Sequence, residues 1–186
     1  MKKTLYFAVF LSVTAMLVTA IAYLGYSLTE PIIAQNRIDS IEKNIAILFD
    51  PEDGYSRNVD QLENSYLEKN YKSIYEIYEV LGNDGEIYVL IYNITAQGRN
   101  GMIDALIAVD PYTDTVVAVT YYSHTETPNI GEKYTKDEEI IKLLGQSLDN
   151  VEVDVITGAS TTWIAIVTMF EDIKTHYNAE EVHIDG

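Results

Sequence analysis

An uncharged stretch at the N-terminus constrains this chain more than any other feature. Thr4 to Thr29 contains no charged side chain, and it lies between two lysines and a glutamate. A helix of roughly 20 apolar residues spans the hydrocarbon core of a bilayer. The stretch is long enough for this, and Tyr23 and Tyr26 occupy positions typical of interfacial aromatic residues. We therefore predict that residues 1–29 are a cytoplasmic tip and a single transmembrane helix.

The positive charges set the predicted orientation. Lys2 and Lys3 place the N-terminus in the cytoplasm by the positive-inside rule, so the rest of the chain lies outside the inner (cytoplasmic) membrane. The alternative is a cleaved secretory signal, for which Ala20-Ile21-Ala22 offers a small-x-small site. The apolar stretch continues past that site, which favours a retained anchor. Both alternatives export the domain.

Charge and residue types exclude several classes of function. The formal net charge is −17, and Glu30 to Gly186 holds all 29 acidic residues and 10 of the 12 basic ones. Nucleic-acid phosphates are bound by clustered Lys and Arg, so we predict no nucleic-acid partner. The lack of cysteine removes disulfides, thiolate nucleophiles and iron–sulfur ligation. The three histidines are too dispersed to predict a metal site, so any redox chemistry would need an organic cofactor.

Residues 30–57 are predicted to form a juxtamembrane segment. Isoleucine and leucine recur at helical spacing from Pro31 to Phe49, and Pro31 suits the first turn of a helix. We expect an amphipathic helix there, either continuing the anchor or separate from it. Asp50–Arg57 is rich in turn residues, and Asn58–Asn70 is predicted as a short helix.

Residues 58–186 are predicted to form one α+β domain, an antiparallel sheet with flanking helices. The segments SIYEIYEVL and EIYVLIYNI flank the turn Asn83-Asp84-Gly85, which predicts a hairpin. MIDALIAVD and TVVAVTYYS flank a second turn, Pro111–Asp114, and are also predicted strands. The alternation of NVEVDVI predicts a further strand from Asn150 to Ile156.

Two helices are predicted in this domain. The first runs from Lys136 to Leu144, with Thr135 as N-cap of a capping box. The second runs from Thr161 to Tyr177. Its predicted apolar face consists of Ile164, Ile166, Val167, Phe170 and Ile173.

The segment DVITGASTT, Asp154 to Thr162, concentrates hydroxyl groups around a glycine at the start of the second helix. Helix N-termini present unpaired N–H groups and a positive dipole end, which suit a phosphate. Gly158 permits close approach of the backbone, and the hydroxyls can bond phosphate oxygens. The alternative is that Ser160 or Thr161 only caps the helix. Spacing alone leaves both interpretations open.

A second segment, His124 to Gly131 (HTETPNIG), follows a predicted strand. The two segments together resemble motifs of the FMN-binding domain shared by the G subunit of the Rnf complex and the C subunit of the sodium-pumping NADH:quinone oxidoreductase. That family has His-x-Glu-Thr-Pro-Gly-Leu-Gly first, where this chain has Asn129 and Ile130 in place of Gly and Leu. It then has Asp-x-x-Ser/Thr-Gly-Ala-Thr, in which this chain has Ser160 in place of the last Thr. The Gly98–Met102 loop also resembles the family, with Arg99 in place of an aromatic residue.

The resemblance implies a covalent cofactor. FMN would be joined through its phosphate to the hydroxyl of Ser160, or of the neighbouring Thr161, by a dedicated flavin transferase. Glu126 and Thr127 would hydrogen-bond near the flavin ring or ribityl chain, and His124 would orient its loop. The implied cofactor-binding residues are Glu126, Thr127, Ile130, Gly131, Thr157, Gly158, Ala159, Ser160, Thr161 and Thr162. No catalytic residue is nominated, since redox chemistry belongs to the cofactor.

The resemblance also implies partners. The expected function is electron transfer within a membrane-bound, ion-translocating ferredoxin:NAD oxidoreductase of the Rnf type, with polytopic and iron–sulfur subunits as partners. The short chain favours this complex over the quinone reductase, which is the first alternative. The second alternative is a membrane-anchored binding module without a cofactor. In each case the anchor contacts lipid, while a domain of this charge is not expected to bind anionic headgroups by itself.

Overall fold

The computed structural model describes residues 2–48, 55–61, 73–82 and 87–179. The chain divides into two compact units, residues 1–42 and 43–186. The first unit is helical. The second contains an antiparallel sheet and helices, so the predicted α+β class is confirmed.

Helix α1 (Lys2–Leu48) is continuous and contains Pro31 in its interior. Within the described part of the chain, Lys3–Ile33 is the stretch long and apolar enough to cross a membrane. Its hydroxyl side chains donate to carbonyl groups one turn earlier, as Ser12 does to Ala8 at 2.8 Å. Hydroxyls satisfied within the helix are cheaper to place in hydrocarbon. The predicted juxtamembrane helix is a continuation of the anchor, and it does not begin at Pro31 as the sequence suggested.

Five strands form one antiparallel sheet in sequential order. They are β1 (Tyr55–Gln61), β2 (Ile74–Gly82), β3 (Ile87–Gln97), β4 (Met102–Asp110) and β5 (Thr115–Ser123). The predicted pairing of β2 with β3 and the strands β4 and β5 are confirmed. The Asn83-Asp84-Gly85 turn lies outside the described residues, while the Pro111–Asp114 turn joins β4 to β5 as predicted.

Two helices follow the sheet, α2 (Asp137–Leu143) and α3 (Ser160–Ala179). Ile166, Met169 and Ile173 of α3 are fully buried in one apolar cluster with Tyr92 and Ile107 of the sheet. Their spacing of three and four residues places them on one helix face. The core thus fixes α3 against the sheet, and with it the start of the helix at Ser160.

Ile164 was predicted to join that apolar face, and this is wrong. Its side chain is 56% exposed, because it lies on the opposite side of α3 from the buried Ile166. The helix also begins one residue earlier than the predicted Thr161 and ends at Ala179.

The prediction of a helix at Asn58–Asn70 is wrong where the structure describes it. Residues 58–61 belong to β1, which pairs with β2, and residues 62–70 lie outside the described part. Of the predicted turn Asp50–Arg57, the last three residues are also in β1 and the others lie outside. Pairing with a neighbouring strand outweighs the weak local preference of such a polar segment.

The predicted strand Asn150–Ile156 is also wrong. Leu148–Asn150 forms a 3₁₀ helix, and residues 151–156 belong to no strand or helix. The predicted capping of α2 by Thr135 is wrong as well. Lys136 occupies the N-cap position of α2, and no side chain caps the helix. Thr135 instead ends a 3₁₀ helix, Gly131–Thr135, and its hydroxyl donates to the carbonyl of Glu132 at 2.9 Å.

Candidate functional site

Three segments of the second unit converge at one end of the sheet. The β3–β4 loop spans residues 98–101, and the 124–131 segment directly follows β5. Because β4 and β5 are antiparallel, with Asp104 opposite Ser123, the start of β4 and the end of β5 lie together. The third segment is the first turn of α3. The family resemblance implied that both motifs belong to one site, and the structure brings them into contact.

Glu126 connects all three segments. Its side chain is 5% exposed. Oε1 accepts a hydrogen bond from the backbone N–H of Asn100 at 3.2 Å, and Oε2 accepts one from the hydroxyl of Thr162. A buried carboxylate is tolerated only when hydrogen bonds replace its lost water. Glu126 therefore acts as the central acceptor of the site.

Two glycines leave room for that carboxylate. A Cβ atom at Gly98 would lie 2.4 Å from Oε1 of Glu126, and one at Gly131 would lie 2.3 Å from Oε2. The second would also lie 2.6 Å from Oγ1 of Thr162. Both distances are shorter than any real contact, so any side chain at either position would displace the carboxylate. This gives a packing reason for the glycines of both motifs.

Thr127 and Asn100 connect the 124–131 segment to the β3–β4 loop. The Asn100 side chain donates to Oγ1 of Thr127 at 2.9 Å, and the Thr125 hydroxyl donates to the Asn100 carbonyl at 3.1 Å. The Thr127 carbonyl accepts from the N–H groups of Ile130 and Glu132 at 3.1 and 3.2 Å. Thr127 is therefore a structural member of the loop.

The turn at Asn129 and Ile130 faces the glycine of the second motif. Asn129 has a φ of 61°, a left-handed conformation that Gly and Asn tolerate best. This explains why Asn can stand where the resembled family has Gly. Ile130 is 40% exposed, and its Cγ2 lies 3.9 Å from where a Cβ would stand on Gly158. Gly158 itself has a φ of 86°.

The four hydroxyls of the second motif have different environments. Thr162 is 1% exposed and bonded to Glu126, whereas Thr157, Ser160 and Thr161 are exposed. Because α3 begins at Ser160, neither Ser160 nor Thr161 occupies the capping position. Neither side chain makes a hydrogen bond among the described residues, so the interpretation as a simple N-cap is wrong.

The segment before α3 is held by side chains rather than by a strand. Oη of Tyr134 donates to the carbonyl of Asp154 at 2.8 Å and accepts from the N–H of Ile156 at 2.9 Å. Nε1 of Trp163 donates to the carbonyl of Val153 at 2.9 Å. Burial raises the pKa of Tyr134, which keeps its phenol protonated. Asp154 also forms an ion pair with Lys142 at 2.9 Å.

His124 connects its loop to the 3₁₀ helix Gly131–Thr135. Its Nε2 lies 3.2 Å from Oγ1 of Thr135, and its buried Nδ1 has no partner among the described residues. No cluster of potential metal ligands occurs in that part of the chain. Nearby, the ammonium of Lys136 at 2.6 Å holds the pKa of Glu132 below its ordinary value.

Sequence reasoning missed four residues of this site. Asn100, Tyr134 and Trp163 make the contacts described above, and Val155 is a 70% exposed valine beside them. Each contact joins residues at least 10 positions apart in the chain, and Val155 lies in the segment predicted as a strand. The Gly-x-x-Gly form of the β3–β4 loop was the single available signal for Asn100.

The start of α3 has the features of a seat for a phosphate group. The first N–H groups of a helix have no partner within it, and here they adjoin exposed hydroxyls and a glycine with positive φ. The exposed side chain of Ile130 offers an apolar contact to a flat ring. Ala159 is 3% exposed and belongs to the apolar core.

Known proteins match the part of the chain that contains both motifs. Residues 98–174, a range that contains both motifs, match the model of the FMN-binding domain family. The C subunit of a Na(+)-translocating NADH-quinone reductase from Yersinia pestis is 41% identical over 59 residues, covering 32% of this chain and 22% of that protein. The crystal structure of Shewanella oneidensis NqrC aligns with a TM-score of 0.45 and 23% identity, covering 52% of this chain and 53% of that one. This chain therefore aligns with well under two thirds of each relative's length.

Proposed function

We propose that this chain is a membrane-anchored electron-transfer subunit that carries FMN covalently on Ser160. Residues 98–174 match the model of the FMN-binding domain family, which the G subunit of Rnf complexes and the C subunit of sodium-translocating NADH:quinone reductases share. The proposal rests on the exposed hydroxyl of Ser160, which has no partner among the described residues. Ser160 begins α3, and the hydrogen bond from Thr162 to Glu126 connects this first turn to the loop after β5.

The four candidate hydroxyls are not equally suited to attachment. Thr162 is excluded because it is buried and its proton is used in the bond to Glu126. Thr157 lies in the turn two residues before the buried Ala159. Ser160 and Thr161 are both exposed on the first helical turn, and Ser160 is in register with the family's acceptor. Ser160 is therefore the proposed acceptor, and Thr161 is the alternative.

Attachment requires an activated FMN donor, for which we take a flavin dinucleotide. The oxygen of Ser160 forms the new O–P bond, the phosphoanhydride bond of the dinucleotide breaks, and AMP leaves as the hydroxyl loses its proton. No electron is transferred in this step. Once attached, FMN supplies reversible electron transfer, and the chain's residues position it and set its surroundings.

The type of complex has two candidates. The first is a ferredoxin:NAD oxidoreductase of the Rnf type, whose partners would be polytopic and iron–sulfur subunits. The similarity to the Yersinia pestis protein favours a quinone reductase. In both cases Lys2 and Lys3, at the start of α1, favour a cytoplasmic N-terminus and an FMN domain outside.

The first experiment tests covalent FMN. The full chain is coexpressed with a flavin transferase, boiled in detergent and examined in gel under ultraviolet light and by intact mass. The wild type and Thr161→Ala should fluoresce and gain the mass of FMN minus water. Ser160→Ala should show neither. If only the wild type and Ser160→Ala are labelled, the acceptor is Thr161. An unlabelled wild type would refute the proposal.

A second experiment separates the two complexes. Membranes of the native host are assayed for ferredoxin-dependent NAD reduction and for NADH-dependent quinone reduction, with and without the chain. Loss of the first activity alone assigns the chain to an Rnf complex, and loss of the second alone assigns it to a quinone reductase.

A further inference from the structure

Tyr134 controls the shape of the backbone that precedes the proposed acceptor. Its buried phenol bonds the Asp154 carbonyl at 2.8 Å and the Ile156 N–H at 2.9 Å. In an extended chain, groups of alternate residues point to the same side. One hydroxyl that bonds residues 154 and 156 therefore holds this stretch extended, although no neighbouring strand pairs with it in the described part of the chain.

The same two bonds turn Val155 away from the protein. Its side chain is 70% exposed, whereas Val151 and Val153 pack against the core. The N–H and carbonyl of Val155 have no partner among the described residues. An extended segment with outward peptide groups thus lies five residues before Ser160.

From this geometry we infer that Tyr134 is a positioning residue for FMN attachment: it presents residues 154–156 in the extended form to which the flavin transferase binds. The inference rests on the proposed function. Ordering a loose backbone on binding costs conformational entropy, and a segment ordered in advance avoids that cost. Tyr134 would act through binding of the chain to the transferase, since its hydroxyl touches neither acceptor nor cofactor.

The test compares full-length wild type with Tyr134→Phe as substrates of a flavin transferase supplied with flavin dinucleotide. Initial rates of labelling are measured by in-gel fluorescence at several concentrations of the chain. Tyr134→Phe should raise KM for the chain roughly tenfold and leave kcat within about twofold. A KM equal to the wild-type value overturns the inference, while an unlabelled wild type overturns the proposed function and this inference with it.

Tyr177→Phe is the matched control. Tyr177 is equally buried, and its hydroxyl donates to Asp114 at 2.6 Å near the opposite end of α3. This variant should lose stability but keep the wild-type KM. An equal rise in KM for both variants would mean that general destabilisation is responsible, and the inference would be wrong.

A second variant serves if Tyr134→Phe does not fold. Trp163→Phe removes the bond to the Val153 carbonyl at the other end of the same segment, and it should raise KM in the same direction by less. Hydrogen exchange gives an independent measurement, because the Ile156 amide should exchange faster in Tyr134→Phe while amides of β3 keep their protection. An unchanged Ile156 amide would contradict the role given to Tyr134.

Discussion

The hydroxyl of Thr162 donates a hydrogen bond to Oε2 of Glu126 across 36 residues of sequence. This bond joins the first turn of α3 to the loop that follows β5. Because α3 is anchored in the core at its other turns, the bond also fixes the position of the exposed Ser160. Four predictions test this arrangement and the fold around it.

The first prediction concerns the Glu126 carboxylate. Glu126→Ala should lower the free energy of unfolding by about 2–3 kcal/mol, because the N–H of Asn100 and the hydroxyl of Thr162 lose a charged acceptor. Glu126→Gln should cost less, since one acceptor oxygen remains. Urea unfolding at neutral pH measures both. The exposed Glu171 is the control, and Glu171→Ala should change stability by no more than about 0.5 kcal/mol.

The second prediction concerns the space beside that carboxylate. Gly131→Ala should cost about 1–3 kcal/mol, because the new Cβ would stand 2.3 Å from Oε2 of Glu126. The same change made in a Glu126→Ala background should cost less, since the nearer of the two obstructing oxygens is gone and only Oγ1 of Thr162 remains. A double-mutant cycle measures this coupling. Equal costs in both backgrounds would show that the clash is not with Glu126.

The third prediction concerns the left-handed turn at Asn129, where φ is 61°. Asn129→Ala should cost about 1 kcal/mol because Ala meets a steric penalty in this conformation. Asn129→Gly should be close to neutral, since Gly adopts positive φ freely. Thermal unfolding distinguishes the two. A loss that is the same for Ala and Gly would instead indicate a role for the Asn side chain.

The fourth prediction concerns alkaline pH. Burial raises the pKa of Tyr121, and burial together with the Asp114 hydrogen bond raises that of Tyr177. Unfolding therefore releases their protons once pH exceeds the ordinary tyrosine pKa of about 10. Their contribution to stability is fully present below that pH and is lost as pH rises further, toward the raised pKa values of the folded state.

Tyr121→Phe tests this sign. The buried hydroxyl of Tyr121 has no partner among the described residues, so its removal should be neutral or stabilising at pH 7. Above pH 10 the variant should lose less stability than the wild type. Urea unfolding at pH 7 and near pH 10.5 measures the difference, and a difference independent of pH would contradict the raised pKa.

The strands and long helices were predictable because their patterns repeat. Alternation and β-branched content located β2 to β5, and the apolar spacing of Ile166, Phe170 and Ile173 located α3. The segment 151–156 was not predictable, although it alternates as a strand does. Its backbone hydrogen bonds go to the side chains of Tyr134, Gln146 and Trp163, which no local pattern reveals.

The site was predictable in part. Resemblance placed Glu126 and Thr162 in one site, but it did not indicate that they bond each other or that Gly98 and Gly131 make room for the carboxylate. These facts depend on how β4, β5 and α3 meet. Asn100 and Tyr134 had no sequence signal strong enough to select them. The partners of Asn100 lie 25 or more residues away in the chain, and those of Tyr134 lie about 20 residues away.

The exposure of Ser160 has a consequence for biogenesis. A group as large as a flavin nucleotide can be added there without opening the core, because the inner face of the same helical turn is already closed by Ala159 and Thr162. Under the proposed function, folding and export would precede maturation, and the bare and the flavin-bearing chains should share one backbone.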